Sequence, residues 1–165
     1  MILFLVLQCN SALLWAQTEP EEIKLDTDQF QEFFYESLLQ KGIENYDKAI
    51  VALDKADKFK PNNATVNYEL GKNYLALKDY KNAYNYFENA AKIDPKNKWF
   101  WVGMYDVTYE TKNFDQGIAV INKLIEFDNK YKEDLASLYM ATKQLEKALV
   151  LIQELDDTYG KSDRR

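Results

Sequence analysis

Tyr46–Asn63 reads YDKAIVALDKADKFKPNN, and Tyr80–Asn97 reads YKNAYNYFENAAKIDPKN. The two stretches say nearly the same thing 34 residues apart. The register continues in columns: Tyr46, Tyr80 and Phe114; Ala49, Ala83 and Gly117; Leu53, Phe87 and Ile121; Ala56, Ala90 and Leu124. Pro61 and Pro95 close the first two copies, and Asn129 stands where a third proline would fall. Self-similarity at this period marks a repeat architecture in which each copy is one supersecondary unit.

Each column has a physical cause. The aromatic opens the second helix of a pair and plugs the gap over the preceding helix. The small residue three positions on admits a close helix approach, and the large apolar residue four further on lies along the same face. Proline cannot continue a helix, so it ends one unit. The segment before each aromatic is helical as well. ATVNYELGKNYLALKD carries Leu70, Gly71 and Tyr74 on one side, with Tyr68 and Leu75 beside them. Glycine in mid-helix costs about 1 kcal/mol against alanine, so Gly71 points to a close neighbour. Lys78-Asp79 makes a short polar turn into Tyr80. The unit is helix–turn–helix.

Composition agrees. Of 165 residues 47% are apolar, with 12 tyrosines but only 5 glycines and 3 prolines, which favours an all-α chain with a buried core. The net charge of −6 argues against a nucleic-acid partner. The absence of histidine removes Ser-His-Asp and Cys-His catalysis and most zinc sites. Cys9 is the lone cysteine, so no internal disulfide forms. No glycine-rich phosphate loop, CxxC or GxSxG occurs. The expectation is a non-enzyme with no cofactor, no metal and no small-molecule substrate.

At Asn67, Leu70, Gly71, Tyr74, Ala83, Phe87, Ala90 and Pro95 the chain resembles the tetratricopeptide repeat family, missing its pattern only at the first of these. The preceding copy is looser, with Phe33, Ser37, Ala49, Leu53, Ala56 and Pro61. The following copy has Trp101, Met104, Gly117 and Ile121, but Tyr105 stands where a small residue is expected. A fourth copy offers Leu135, Ala136, Tyr139, Ala148, Ile152 and Leu155. Leu145 falls 31 residues after Phe114, which predicts a shorter turn between the third and fourth copies. The resemblance implies a right-handed superhelical array of antiparallel helix pairs. Its expected copies cover 30–63, 64–97, 98–128 and 129–158, followed by a tail at 159–165.

Residues 1–17, MILFLVLQCNSALLWAQ, are uncharged and give way abruptly to TEPEE. They read as a signal peptide cleaved after Ala16 or Gln17. No Lys or Arg precedes the apolar run, which leaves a start upstream of Met1 as an alternative. A retained hydrophobic first helix is another. Cys9 reads as part of the discarded segment, since Gln8 precedes it where a lipidated cysteine would follow a small residue. An uncharged leader before an aromatic helix is similar to exported repeat proteins of Gram-negative bacteria, so a periplasmic or envelope location is expected. Residues 18–29 read as an acidic leader, with Asp26 and Gln29 as a capping box. Their spacing lacks the glycine turn and terminal Glu of a calcium loop.

An array of helix pairs offers the first helix of each pair to a concave face. The expected groove takes Phe34, Leu38 and Lys41 from the first copy, Tyr68, Lys72 and Leu75 from the second, and Val102, Asp106 and Tyr109 from the third, with Trp99 at its rim. Glu133, Ser137 and Met140 continue it in the fourth. Aromatic and aliphatic side chains with mixed charge suit a peptide or protein partner. Any one of these aromatics can instead serve only the core. The carboxylate clamp of some family members is not supported, since Phe34 and Gly103 stand where basic residues belong. Trp101 is expected in the core. The helix from Leu145 to Asp157 carries Leu149, Val150, Leu151 and Ile152 in a row, which makes it a candidate for self-association, for contact with a partner, or for the broken edge of a longer protein. The function expected is an interaction scaffold; the alternatives are an assembly subunit stacking through this edge, or an accessory fragment.

Overall fold

The computed structural model describes residues 19–160. The leader 1–17, with Cys9, and the end of the tail lie outside them. Helices follow in pairs: α1 (Glu19–Gly42) with α2 (Tyr46–Phe59), α3 (Ala64–Ala76) with α4 (Tyr80–Ile93), α5 (Lys98–Glu110) with α6 (Phe114–Ile125), and α7 (Lys132–Ala141) with α8 (Leu145–Tyr159). A 3-10 turn, Asn129–Tyr131, precedes α7. No strand occurs among the described residues. The chain is all-α.

Tyr46, Tyr80 and Phe114 are the first residues of α2, α4 and α6, and Leu145 is the first of α8. Before each comes the same turn. Glu44, Lys78, Lys112 and Lys143 adopt φ of 61°, 60°, 55° and 60°. The next amide reaches back five residues: Asn45 to Gln40, Asp79 to Tyr74, Asn113 to Thr108, and Gln144 to Tyr139. This is the Schellman ending of a helix, which satisfies otherwise orphaned carbonyls. Glycine is its usual residue, and lysine or glutamate pays a steric penalty there. The second helix then starts at once: the Asp79 carboxylate accepts from the Asn82 amide, and the Asn113 side chain accepts from the Gln116 amide.

The chain forms two compact units, ending and beginning at Pro61 and Asn62. In the first, α1 packs along α2. Phe33 stacks on Phe59 with ring centres 5.9 Å apart. Ser37 is buried, and its hydroxyl donates to the Phe34 carbonyl. On α2, Ala49, Leu53 and Ala56 are fully buried. Helix α1 differs from expectation at its start. It begins at Glu19 and passes through Asp26, so the Asp26–Gln29 capping box is overturned and residues 19–29 of the acidic segment are helical. Pro20 occupies its first turn, where a missing N–H does no harm.

In the second unit α3 packs on α4, α4 on α5, and so on to α8, while α3 also meets α5. Its centre is Phe87 of α4, 1% exposed. A Cβ on Gly71 of α3 would come 2.7 Å from this ring, and one on Gly103 of α5 would come 2.6 Å from it. Both distances fall far inside ordinary contact, so neither position admits a side chain unless the ring moves. The close neighbour expected at Gly71 is therefore an aromatic ring, and that ring is gripped from two helices. The Tyr68 ring packs beside it, tilted, 5.7 Å from Phe87 and 5.3 Å from Phe100. The small-residue column varies in what it meets: a Cβ on Gly117 would touch the side chains of Thr108 and Leu138.

Phe100 is buried in the core of α5, and Trp101 packs against that core at its edge. Trp101 is half-buried and its indole N–H donates to the Pro95 carbonyl at 3.1 Å, fastening the loop before α5. The three residues missing between Phe114 and Leu145 fall at the end of α6 and in the turn after it: α6 has 12 residues against 14 in α4, and the 3-10 turn Asn129–Tyr131 runs straight into α7.

Candidate functional site

The C-terminal half of α3, the turn after it and the first residue of α4 face the second half of α5 and the start of α7 across an open cleft of about 660 Å³. All its walls belong to the second unit. Leu75 and Ala76 line it from α3, Lys78 from the turn and Tyr80 from α4. Tyr105, Asp106, Tyr109 and Glu110 come from α5 and Asp134 from α7. Positions 105, 106, 109 and 110 follow helical spacing, which puts two phenols and two carboxylates on one stripe of α5.

Tyr105 owes its place to a change in packing. In the preceding pair Gly71 makes room for Phe87. Thirty-four residues on, both partners change together: Tyr105 replaces the glycine and the smaller Ile121 replaces the phenylalanine. Ile121 stays fully buried, and Tyr105 is half-buried against the core while its phenol lines the cleft. Bulk has moved from the second helix of the pair to the first.

Electrostatics bring the groups together. Burial chiefly, then the charges of Asp134, Tyr109 and Asp106, push the Tyr105 phenol up to about 12. Asp106 is raised above the usual carboxylate range by partial burial and by Glu110 beside it. Asp134 is raised by burial and by Glu133, with Lys130 opposing. The Tyr105 and Tyr109 rings lie 6.3 Å apart, tilted by 52°.

Of the residues expected in a groove, Leu75, Asp106 and Tyr109 meet in this cleft. Tyr68 does not line it; its ring packs, tilted, against Phe87 and Phe100. Lys72 lies 3.1 Å from the Glu69 carboxylate, with its ammonium 4.9 Å from the centre of the Tyr68 ring. Val102 is half-buried against the core. Trp99 is 54% exposed, with the Lys98 ammonium over its ring. In the first unit the Phe34 ring stacks on Phe30, and Leu38 and Lys41 are half-buried. Gly103 is held against Phe87, which leaves no room for the arginine of a carboxylate clamp. Sequence reasoning missed Tyr80, Tyr105, Glu110 and Asp134. The signal for Tyr105 was its departure from the repeat pattern.

Helix pairs at this period, with a glycine against a phenylalanine, agree with the comparisons. Residues 74–133 match the family model described as tetratricopeptide repeat. That segment carries tetratricopeptide repeat sequence. Tetratricopeptide repeat protein 37 of Xenopus laevis is 36% identical over 93 residues, which cover 52% of this chain. The match spans only 6% of that relative's length. Among solved structures, MamA residues 41-end from Desulfovibrio magneticus RS-1 has a TM-score of 0.66 at 18% identity, over 81% of this chain and 77% of that one. YrrB, described as a TPR protein with an unusual peptide-binding site, has a TM-score of 0.63 at 18% identity, over 77% of this chain and 67% of that one. At such identities the structural likeness establishes the tetratricopeptide fold alone.

Proposed function

We propose that the chain is a non-enzymatic interaction scaffold that holds a peptide segment of a protein partner in the cleft between α3, α5 and α7. The observation that carries this is the cleft itself. It is open, it is walled by three tyrosines and a leucine, and it lies on the first helices of successive pairs. Tyrosine gives large, rigid, amphipathic contact area at little entropic cost. YrrB's peptide-binding site adds a precedent within the fold. The test is capture of partners by the immobilised full chain, wild type against Tyr109→Ala. Tyr109 is 61% exposed, so its truncation should leave the fold intact by circular dichroism. Loss of the captured species supports the cleft as the binding site, and undiminished capture refutes it.

A second reading, an assembly subunit, is favoured by α8. Leu145, Leu149 and Val150 are 60%, 67% and 71% exposed there. In that case Leu149→Glu should lower the mass in solution. We also propose that the chain is exported and loses its uncharged leader; amino-terminal sequencing of the mature protein should then begin near Gln17 or Thr18.

A further inference from the structure

Three carboxylates border the cleft, Asp106, Glu110 and Asp134, against the single ammonium of Lys78. None of the three enters an ion pair among the described residues. Ion pairs elsewhere among the described residues include Glu88 with Lys92 and Glu126 with Lys123. The unpaired carboxylates share the cleft with the faces and edges of three phenols and with the Leu75 side chain. Holding like charges together beside apolar and aromatic surface is unfavourable in the free protein, and a cation placed among them relieves it.

We infer that the cleft selects a cationic side chain, arginine or lysine, from the bound segment. This rests on the peptide-binding reading above and gives it a charge. The aliphatic stem of such a residue would lie along Leu75 and the ring of Tyr105 or Tyr109, and its charged head would sit between Asp106 and Asp134. Long basic side chains bury their stems on apolar surface while the head stays polar. Tyrosine faces attract cations, more so where water is partly excluded. An acidic segment would instead meet three carboxylates and a negatively biased field.

The experiment is two-dimensional amide NMR of the full chain titrated with four blocked tripeptides, Leu-Xaa-Leu, where Xaa is arginine, lysine, citrulline or glutamate. Citrulline keeps the shape of arginine and removes its charge. Arginine and lysine peptides should shift amides at 75–78, 105–110 and 134. They should bind about tenfold more tightly than citrulline, as expected from adding charge pairing and a cation–π contact at a partly dry site. Asp106→Asn with Asp134→Asn should erase that preference while leaving the circular dichroism spectrum unchanged. Citrulline binding as tightly as arginine at the same amides would overturn the charge inference and leave the peptide cleft standing. Shifts confined to other surfaces, or stronger binding of glutamate, would overturn the inference as well. Failure of the peptide cleft itself is read separately, from undiminished partner capture by Tyr109→Ala.

Discussion

Replacing Gly71 by alanine sets two effects of opposite sign against each other. Alanine in a helix interior gains about 1 kcal/mol over glycine. The new Cβ, however, would stand 2.7 Å from Cδ1 and Cε1 of Phe87 and 3.0 Å from its Cγ. Carbon pairs prefer 3.5–4.0 Å, so the ring would have to withdraw by roughly 1 Å. Gly103 of α5 crowds the same ring atoms, where an added Cβ would come within 2.6 Å. Overpacking a filled core costs about 1–3 kcal/mol, and a ring held by two helices belongs near the upper end. Gly71→Ala should therefore destabilise by about 1–2 kcal/mol net of its helical gain. Gly103→Ala should behave alike, because it crowds the same Cδ1 and Cε1 atoms of the ring. Adding Phe87→Leu to Gly71→Ala should show favourable coupling of about 0.5–3 kcal/mol in a double-mutant cycle. The assay is urea unfolding followed by far-ultraviolet circular dichroism, with midpoints and slopes compared. A gain of about 1 kcal/mol for Gly71→Ala would refute the clamped ring, since propensity would then act unopposed.

Lys112 holds φ of 55° outside the cleft, so Lys112→Gly should raise stability by about 0.5–1 kcal/mol in the same urea assay, and destabilisation would contradict the turn geometry. Trp101→Phe removes the donor to the Pro95 carbonyl and should cost about 0.5–1.5 kcal/mol; an unchanged midpoint would show that the bond contributes nothing. Asp106 and Asp134 have raised folded-state pKa values, so their ionisation opposes folding and stability falls as pH rises through that range. The groups facing them are Tyr105, Tyr109 and Glu110 on α5, Glu133 and Lys130 near α7, and Lys78 at the rim. Asp106→Asn with Asp134→Asn should accordingly melt above the wild type at pH 7, with the difference vanishing below the ordinary aspartate range; equal melting at pH 7 would mean the cleft holds no electrostatic strain.

The helix pairs were legible because a stacked repeat writes the same packing problem into each copy. Tyr46, Tyr80 and Phe114 all open a second helix, and the cost of glycine in mid-helix announced a close neighbour at Gly71. The cleft was half legible. Leu75, Asp106 and Tyr109 follow from helical spacing within one copy. Asp134 belongs to a copy spaced 31 rather than 34 residues from the one before it, so no fixed period carries it to its place. Tyr68 misled because an aromatic on a first helix can turn to the groove or to the next pair, and Phe100 drew it inward. The turns were hidden for another reason: lysine and glutamate occupy left-handed positions that sequence reasoning assigns to glycine. The start of α1 was missed because acidic residues before Asp26 resemble a solvated leader as much as a first turn.

Hydrogen exchange of the full chain, alone and with a captured partner bound, bears most directly on where the scaffold works. Slower exchange at 72–80, 103–111 and 132–137, with α8 unchanged, is the result the cleft requires. Slower exchange confined to 145–159 would place the contact on the C-terminal helix and contradict it.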